Sequence, residues 1–432
     1  MSFDLLRRAG SVLNTHYQII SSEVVFGYPN IGEEYPDQWR RLLLPLSNQS
    51  LWQIFGESNL LSIEGSLLCS HLKLWGGLED QLSSVYPQPD WLASDNLHRP
   101  KYSLDALVGV GDKKLHELTK VAPLVEALAH HQGRSKPLKV LDIGGGVGHL
   151  ARLLTFYHGV TVTSFDRDQR LQQKGASQIK RHLANQEGSC CPLEWEHGQW
   201  GDGGDQKQLL SNKTLLVGLH ACGNLSAQLI EAGVRNAVPA IISLGCCYAR
   251  FTGTGRHYLS QAGQSLSSTQ RIEWNQFSLT LSSRAHRPPS FAAFERDLLV
   301  KSYRYKLHLL LFHLLDTKKF VAVGEVRPHH YQGEFFNYTL GRLAHLKIKH
   351  QLGKDQIDDF VQQQWVEDRV RELIICDLIR WQLGRVAEIF LLLDRALFLE
   401  EQGYRVTVLP LFDPRISPRN LGIVAYRGDR SD

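Results

Sequence analysis

The chain has 432 residues, of which 43% are hydrophobic, and its 48 basic against 44 acidic side chains give a formal net charge of +4. This length predicts two or three domain-sized units. A charge so near neutral does not imply a nucleic-acid or membrane partner, and neither DNA nor a membrane is expected. The sequence has no run of 18 apolar residues, so no transmembrane helix is expected. Asp4, Arg7 and Arg8 near the N-terminus do not fit the apolar core of a signal peptide. The seven cysteines, which include two vicinal pairs, favour a reducing cytoplasm.

Residues 1–105 are predicted to form a helical N-terminal region, with proline loops at Tyr28-Pro29 and Tyr86-Pro87 and no catalytic pattern. A helix is predicted next, over residues 112–131. Its apolar residues recur at helical spacing. They are Leu115, Leu118, Val121, Leu124, Val125 and Leu128.

Short apolar strands then alternate with helices, which predicts a parallel α/β sheet. The predicted strands are 138–143, 160–165, 193–196, 214–219 and 240–244. The predicted helices are 147–157 and 169–185, followed by one that Asn224 caps and that stops at Gly233. Residues 106–247 therefore make the first part of a sheet domain.

This alternation stops at residue 248. Residues 248–380 are predicted to be a mainly helical insertion with one strand at 320–326. A helix at 386–401 and strands at 405–411 and 421–426 follow, so residues 381–432 complete the domain. The fold class is thus α/β, a seven-stranded sheet with a helical N-terminal region and a long insertion after strand five.

A glycine-rich turn links the first strand to its helix, in the sequence Leu141-Asp142-Ile143-Gly144-Gly145-Gly146-Val147-Gly148. Glycines let the backbone approach a ligand closely, and the helix N-terminus offers free N–H groups. A dinucleotide motif G-x-G-x-x-G would need glycine where His149 stands. The pattern D-x-G-x-G-x-G instead resembles class I (Rossmann-like) methyltransferases, in which the turn faces the methionine half of S-adenosyl-L-methionine.

A second acid supports that cofactor. Asp166 ends strand two, 22 residues after Gly144, where a carboxylate can accept from both ribose hydroxyls; Asp168 is the alternative. A glycine turn without a ligand is the competing interpretation. The candidate cofactor-binding residues are Asp142, Gly144, Gly145, Gly146, Gly148, His149, Leu150, Asp166, Arg167 and His220.

The candidate catalytic residues follow strands four and five, because ligands lie beyond the carboxyl ends of parallel strands. They are His220, Cys222, Cys247 and Tyr248. His220 is the candidate base, since histidine titrates near pH 6.5, and Tyr248 could stack on a base or hydrogen-bond a substrate. Two alternatives stay open: zinc bound by His220 and the three cysteines at 222, 246 and 247, for which the spacing is not standard, or small buried cysteines with a hydrogen-bonded histidine. We predict no metal.

Two further segments are candidates for substrate contact. If strand six is parallel to the others, Arg419 and Asn420 in the loop after it emerge at the same edge; a solvated two-proline turn is the alternative. The run Lys301-Ser302-Tyr303-Arg304-Tyr305-Lys306 interleaves charge with aromatic rings, which suits nucleic-acid contact but also a solvated amphipathic helix.

Five segments together resemble the methyltransferase-like protein 25 family, which includes proteins with a ribosomal RNA adenine dimethylase domain. They are Lys113-Lys114-Leu115-His116-Glu117, VLDIGGGVGHL at 140–150, GLHACGNL at 218–225, GCCY at 245–248 and SPRNL at 417–421. The resemblance implies a class I methyltransferase that uses S-adenosyl-L-methionine. It also makes Lys113 and His116 candidate substrate-binding residues, with a helix cap or salt bridge as the alternative.

The acceptor is less defined. Cysteines and a histidine after strands four and five are similar to a group that includes tRNA ribose methyltransferases, so RNA is the leading substrate class by analogy. Amino-directed adenine methyltransferases place Asn or Asp, Pro-Pro and an aromatic after strand four, whereas this chain has His220-Ala221-Cys222-Gly223. Adenine dimethylation is therefore not expected. Two alternative functions stay open: a small-molecule or protein methyltransferase with a closed pocket, and a non-catalytic cofactor-binding scaffold. The sequence does not indicate an oligomeric state.

Overall fold

The computed structural model describes residues 1–31, 34–131, 137–183, 191–201, 208–245, 247–251, 257–270, 272–284, 288, 290–317, 321–324 and 326–427. The chain divides into two compact units, within each of which the residues contact one another. The sheet unit comprises Met1–Thr15, Trp75–His286 and Arg385–Asp432, and the helical unit comprises His16–Leu74 and Arg287–Gly384. These units divide the chain at points other than the boundaries predicted at 105, 247 and 380, which stay predictions.

The sheet has seven strands in the order β3-β2-β1-β4-β5-β7-β6. Their bounds are β1 (Lys139–Ile143), β2 (Val162–Asp166), β3 (Leu193–His197), β4 (Thr214–Leu219), β5 (Ala240–Leu244), β6 (Arg405–Pro410) and β7 (Leu421–Tyr426). Strands β1 to β5 pair in parallel, while β7 is antiparallel to both β5 and β6. The predicted seven-stranded α/β sheet is confirmed, and β6 runs in the direction of the first five strands.

The sequence predicted helical regions throughout the chain, but bounds for only some of the helices. They are α1 (Ser2–Thr15), α2 (Tyr17–Ser21), α3 (Asp37–Leu43), α4 (Asn48–Phe55), α5 (Leu67–Asp80), α6 (Leu82–Val85), α7 (Asp112–Ala129), α8 (His149–Tyr157), α9 (Gln169–Leu183), α10 (Asn224–Arg235), α11 (Gln261–Gln270), α12 (Gln276–Arg284), α13 (Phe291–Leu314), α14 (Phe335–His345), α15 (Lys354–Val361) and α16 (Gln364–Glu401). Among the described residues, none of these helices is both long and apolar enough to cross a membrane.

The core of the sheet unit lies between the central strands and the helices α7 and α8. Strands β4 and β5 are buried along their whole length, as expected of parallel strands covered on both faces. Leu118 and Leu124 from α7 and Leu153 from α8 join one apolar cluster with Leu215 and Ile242 of the sheet. This packing fixes α7 across the sheet, and the N-terminal turn of α7 contributes to the site described below.

The helix after β4 differs from its prediction at both ends. Gly223, with φ 58°, takes the N-cap position, and Asn224 is the first helical residue. The helix continues through Gly233 to Arg235. A glycine is required at position 233 because a Cβ there would lie 2.6 Å from Cδ1 of Ile241. Close helix–strand packing, rather than helix termination, explains this glycine.

The last helix begins at Gln364, 22 residues before the predicted start. Its sequence lacks a continuous apolar stripe, because charged residues occupy buried positions in it. They are Asp377, Arg380, Glu388, Asp394 and Arg395.

The strand predicted at 320–326 is wrong for the part that the structure describes. Residues 321–324 and 326 have no strand, while Phe320 and Glu325 lie outside the described residues. Val323 instead packs into an apolar cluster of the helical unit with Leu307 and Leu311.

Candidate active site

The glycine turn leaves β1 in an alternating left-handed conformation. Gly144, Gly146 and Gly148 have φ values of 75°, 56° and 71°. Side chains with a Cβ rarely adopt such values, so three glycines are required in this pattern. They also hold the chain outside the helix, so α8 begins at His149 instead of at the predicted Val147.

A glycine is required at position 145 because there is no room for a Cβ atom, whereas its backbone conformation is open to other residues. A Cβ at Gly145 would lie 2.3 Å from Oγ of Ser164 and 2.8 Å from Oδ2 of Asp142. The turn therefore rests directly on two polar side chains of β1 and β2. Among the described residues, the buried Oγ of Ser164 has no hydrogen-bond partner.

The carboxyl group of Asp142 is buried at the end of β1, with only 3% of the residue exposed. Burial raises its pKa to about 7, the nearby Asp166 also raises it, and Lys114 opposes the shift. A cation beside Asp142 would restore its ionised form. This is the property expected of an acid that receives the ammonium group of a ligand.

Asp166 faces the glycine turn, and Asp168 does not. The Gly146 N–H donates to Oδ2 of Asp166 at 2.8 Å, and the Asp168 N–H donates to Oδ1 at 2.8 Å. Asp168 uses its own Oδ1 to accept from the Arg170 N–H at 2.9 Å, which caps α9. Of the two candidate acids, Asp166 is thus the one placed for a ligand in the turn.

Three other predicted cofactor residues lie around the turn with different surroundings. Arg167 is exposed, and its carbonyl accepts from Nε2 of His197 at 3.1 Å. Nδ1 of His149 accepts from Nη2 of Arg152 at 2.8 Å, and burial lowers the pKa of His149 to about 4. The Leu150 side chain is buried in the core, so only its backbone N–H, in the first turn of α8, faces the predicted ligand.

His220 follows β4 and meets two residues that are distant in the chain. Its Nε2 lies 2.9 Å from Oε2 of Glu117, in the first half of α7. The other carboxylate oxygen of Glu117, Oε1, accepts from Oγ of Ser417 at 2.8 Å. His220 has φ 65°, a strained value for a side chain with a Cβ. The backbone thus holds the imidazole in an uncommon conformation against a carboxylate.

Glu117 is ionised at neutral pH despite its burial. Burial alone would raise its pKa, but the hydrogen bond and charge of His220, the Ser417 hydroxyl and Lys114 lower it to about 2. In the sequence, Glu117 stands out only as part of the motif at 113–117, and no role was predicted for it. The sequence feature that could have identified Glu117 is its place on the buried face of α7. Val121 and Leu124, on the same face, follow it by four and seven residues.

These residues line a cleft of about 550 Å³, here called the α7 cleft. It is lined by Gly111, Asp112, Lys113, Lys114, Glu117, His220, Cys222, Cys247 and Arg419. The ammonium groups of Lys113 and Lys114 lie 3.9 Å and 3.7 Å from the Glu117 carboxylate, and both side chains are partly exposed. The cleft therefore offers cationic groups beside a candidate base.

The loops after β4, β5 and β6 meet at the α7 cleft. The Gly223 N–H donates to the carbonyl of Cys247 at 3.0 Å, and Nη1 of Arg419 donates to the Cys247 Sγ at 3.0 Å. Arg419 reaches this edge because β6 is parallel to the central strands. Cys246 lies outside the described residues, so the alternative of a zinc site here is not tested.

Three predicted site residues are not among those that line the α7 cleft. Tyr248, expected to contact substrate, is 1% exposed, with its ring near the guanidinium of Arg395. Asn420, expected to bind substrate, is buried and accepts from Nη2 of Arg385 at 3.0 Å. Nε2 of His116 accepts from the Asp413 N–H at 3.0 Å. These contacts are structural, and substrate contact by the three residues stays a prediction.

The two lysines of the basic run at 301–306 are paired with acids of α16. In the helical unit, Lys301 forms an ion pair with Asp377, and Lys306 forms one with Glu367. The Tyr305 side chain is buried, while Tyr303 and Arg304 are partly exposed. Nucleic-acid contact by this run stays a prediction.

The segment that holds most of these residues matches a known family of domains. Residues 113–254 match the model of a family described as "Methyltransferase domain". The matched segment begins at Lys113, includes the glycine turn and His220, and extends past Cys247. The chain therefore contains a methyltransferase domain. Membership of the methyltransferase-like protein 25 family stays a prediction.

Proposed function

We propose that the chain is an S-adenosyl-L-methionine-dependent methyltransferase that acts on RNA. The observation that supports the donor is the turn at Gly144–Gly148 resting on the buried carboxyl of Asp142. The negatively charged pyrophosphate of a dinucleotide would repel an ionised Asp142, whereas an ammonium group would compensate its charge.

The described residues fit this cofactor. Asp142 would accept from the ammonium group, and Asp166, already oriented by the Gly146 N–H, would accept from ribose hydroxyls. The first N–H groups of α8 would face the carboxylate of the methionine half. When bound, S-adenosyl-L-methionine supplies a methyl group on a positively charged sulfur, which an acceptor displaces in line.

Proton removal is assigned to His220. The ionised Glu117 can only accept, so Nε2 of His220 carries the proton that points to it. The lone pair then resides on Nδ1, which can take a proton from an acceptor hydroxyl or amine. Glu117 stabilises the imidazolium that results, and Ser417 holds the Glu117 carboxylate in place.

The acceptor class is inferred from charge. Lys113, Lys114 and Arg419 line the α7 cleft on the side of the candidate base. Phosphate groups are bound in this way by basic side chains, without sequence readout. These cations support an acceptor that carries phosphates, and the resemblance to RNA methyltransferases supports the same choice.

A labelled-methyl assay would test the proposal. Purified protein and methyl-labelled S-adenosyl-L-methionine would be incubated with total RNA, protein extract and a metabolite fraction, each alone. We expect label in RNA that is lost with His220→Ala and kept with His330→Ala, a histidine of the helical unit. Label only in protein or metabolites would contradict the RNA acceptor while leaving the methyltransferase activity intact.

Cofactor binding needs its own measurement. Calorimetry should detect S-adenosyl-L-methionine binding that Asp166→Ala and Gly146→Arg each weaken. Unchanged affinity in both variants would contradict the proposed donor site. Binding to the wild type without transfer to any pool would instead indicate a non-catalytic scaffold.

A further inference from the structure

A second cluster of chemically competent side chains lies in the sheet unit, away from the α7 cleft. It consists of His98 in the segment before α7, Glu126 in α7, and His158 at the C-cap of α8. Their imidazole nitrogens and carboxylate oxygen lie within 4.8 Å of one another. We propose that His98, Glu126 and His158 bind one Zn²⁺ ion, a site unrelated to methyl transfer.

The distances fit a small divalent cation. Nδ1 of His98 lies 3.1 Å from Oε2 of Glu126, and Nδ1 of His158 lies 2.6 Å from the same oxygen. Ligands of a tetrahedral zinc ion at about 2.0 Å lie about 3.3 Å from one another. Small side-chain rotations therefore bring all three atoms to bonding distance. His98 is exposed, so a water molecule has access to the fourth position.

The donor set selects zinc over the harder cations. Magnesium and calcium prefer oxygen ligands, whereas two imidazoles and one carboxylate suit Zn²⁺ and, among probes, Co²⁺. The set also contains no thiol, so the site does not depend on the redox state of a cysteine.

Tyr102 supplies an independent observation. Its hydroxyl lies 2.8 Å from Nε2 of His158, the nitrogen that would not bind the metal. Ligating histidines characteristically donate their other N–H to an oxygen, which fixes the ring. The His158 side chain is fully buried, so its surroundings hold the ring in this orientation. Tyr102 therefore orients His158 for ligation through Nδ1.

The location indicates a structural role. Glu126 is nine residues after Glu117 on α7, about 14 Å along the helix axis. His158 precedes β2, so the cluster lies towards the amino ends of the strands, opposite the α7 cleft. Metal bound there would cross-link the segment around His98 to α7 and α8, the two helices that cover the core of the sheet.

Metal content of the tag-free full chain would test this site. After dialysis against Zn²⁺ and removal of excess, we expect one zinc per chain and a raised melting temperature. His98→Ala and Glu126→Gln should lose both effects. His130→Ala, which removes an exposed histidine four residues after Glu126, should keep both. Tyr102→Phe should weaken zinc affinity about 10- to 100-fold without removing a ligand.

Cobalt gives a readout that does not depend on stability. Co²⁺ added to the zinc-free wild type should produce the visible absorption of a tetrahedral site, and His98→Ala should lack it. Wild type that retains no more zinc than His98→Ala, or cobalt spectra that are alike in the two proteins, would overturn the proposal. Such a result would leave a hydrogen-bonded network of His98, Glu126, His158 and Tyr102. If Glu126→Gln fails to fold, the exposed His98 variant still decides the question.

Discussion

Nε2 of His220 lies 2.9 Å from Oε2 of Glu117, although 103 residues separate them in the chain. This pair joins the loop after β4 to the helix that precedes β1. It places an ionised carboxylate behind a histidine at the carboxyl edge of the sheet, where ligands of such sheets bind. The pair explains why a buried acid is tolerated on the core-facing side of α7.

Glu117→Gln should lower kcat about 10- to 100-fold, because the imidazolium of His220 loses its anionic partner. Steady-state kinetics would measure this effect. Ser417→Ala, which keeps the carboxylate, should lower kcat less. A kcat of Glu117→Gln equal to that of the wild type would contradict the pairing.

Asp142→Asn should stabilise the ligand-free protein at high pH and weaken cofactor binding. The folded-state pKa of Asp142 is about 7 against an ordinary 3.8. Its contribution to stability is therefore fully present below pH 3.8 and is lost as pH rises through about 7. The difference between these two pKa values corresponds to at most about 4 kcal/mol of unfolding free energy.

Denaturant unfolding of wild type and Asp142→Asn at pH 5 and pH 8 would measure this difference. The advantage of the variant should be larger at pH 8. An equal difference in unfolding free energy at the two pH values would show that Asp142 does not titrate in this range. Calorimetry on the same samples should show weaker binding of S-adenosyl-L-methionine.

Gly145→Ala should destabilise the protein by about 1–3 kcal/mol, because the added Cβ would lie 2.3 Å from Oγ of Ser164. The double variant Gly145→Ala/Ser164→Ala should recover part of that loss, since the closest atom is removed. Gly76→Ala is the matched control: nothing lies within 4 Å of its Cβ position, in the interior of α5. It should raise stability by about 0.5–1 kcal/mol. Equal effects of Gly145→Ala and Gly76→Ala would show that the turn has room to relax.

Lys113→Ala and Arg419→Met should raise the KM for RNA while leaving the affinity for S-adenosyl-L-methionine unchanged. Each lost phosphate contact should also reduce the slope of log affinity against log salt by about 0.7–0.9. Binding to labelled RNA over a salt series would give the slope. Lys120→Ala, which changes a lysine of α7 outside the cleft, is the control and should leave it unchanged. A slope unaltered in all three variants would contradict phosphate binding at the α7 cleft.

Local pattern was sufficient for much of the fold. Strands β4, β5 and β7 have their predicted bounds, because runs of apolar residues between polar loops define buried strands. The long helix α16 was predicted only over residues 386–401, although it begins at Gln364. Its buried charges bind groups from elsewhere in the chain, as Asp394 does by accepting from the Leu259 N–H and the Ser260 hydroxyl, and periodicity cannot anticipate such contacts.

The sequence by itself determined the glycine turn, the acids at 142 and 166 and the α/β sheet, because each depends on residues close together in the chain or on a repeated strand–helix period. Only the tertiary structure decided the rest. Glu117 meets His220 and Ser417, 103 and 300 residues away, because α7 packs across the sheet and β6 runs parallel to its centre. The burial of Tyr248 and the meeting of His98, Glu126 and His158 have the same origin. Contacts between distant residues depend on strand order and helix packing, which no local spacing specifies.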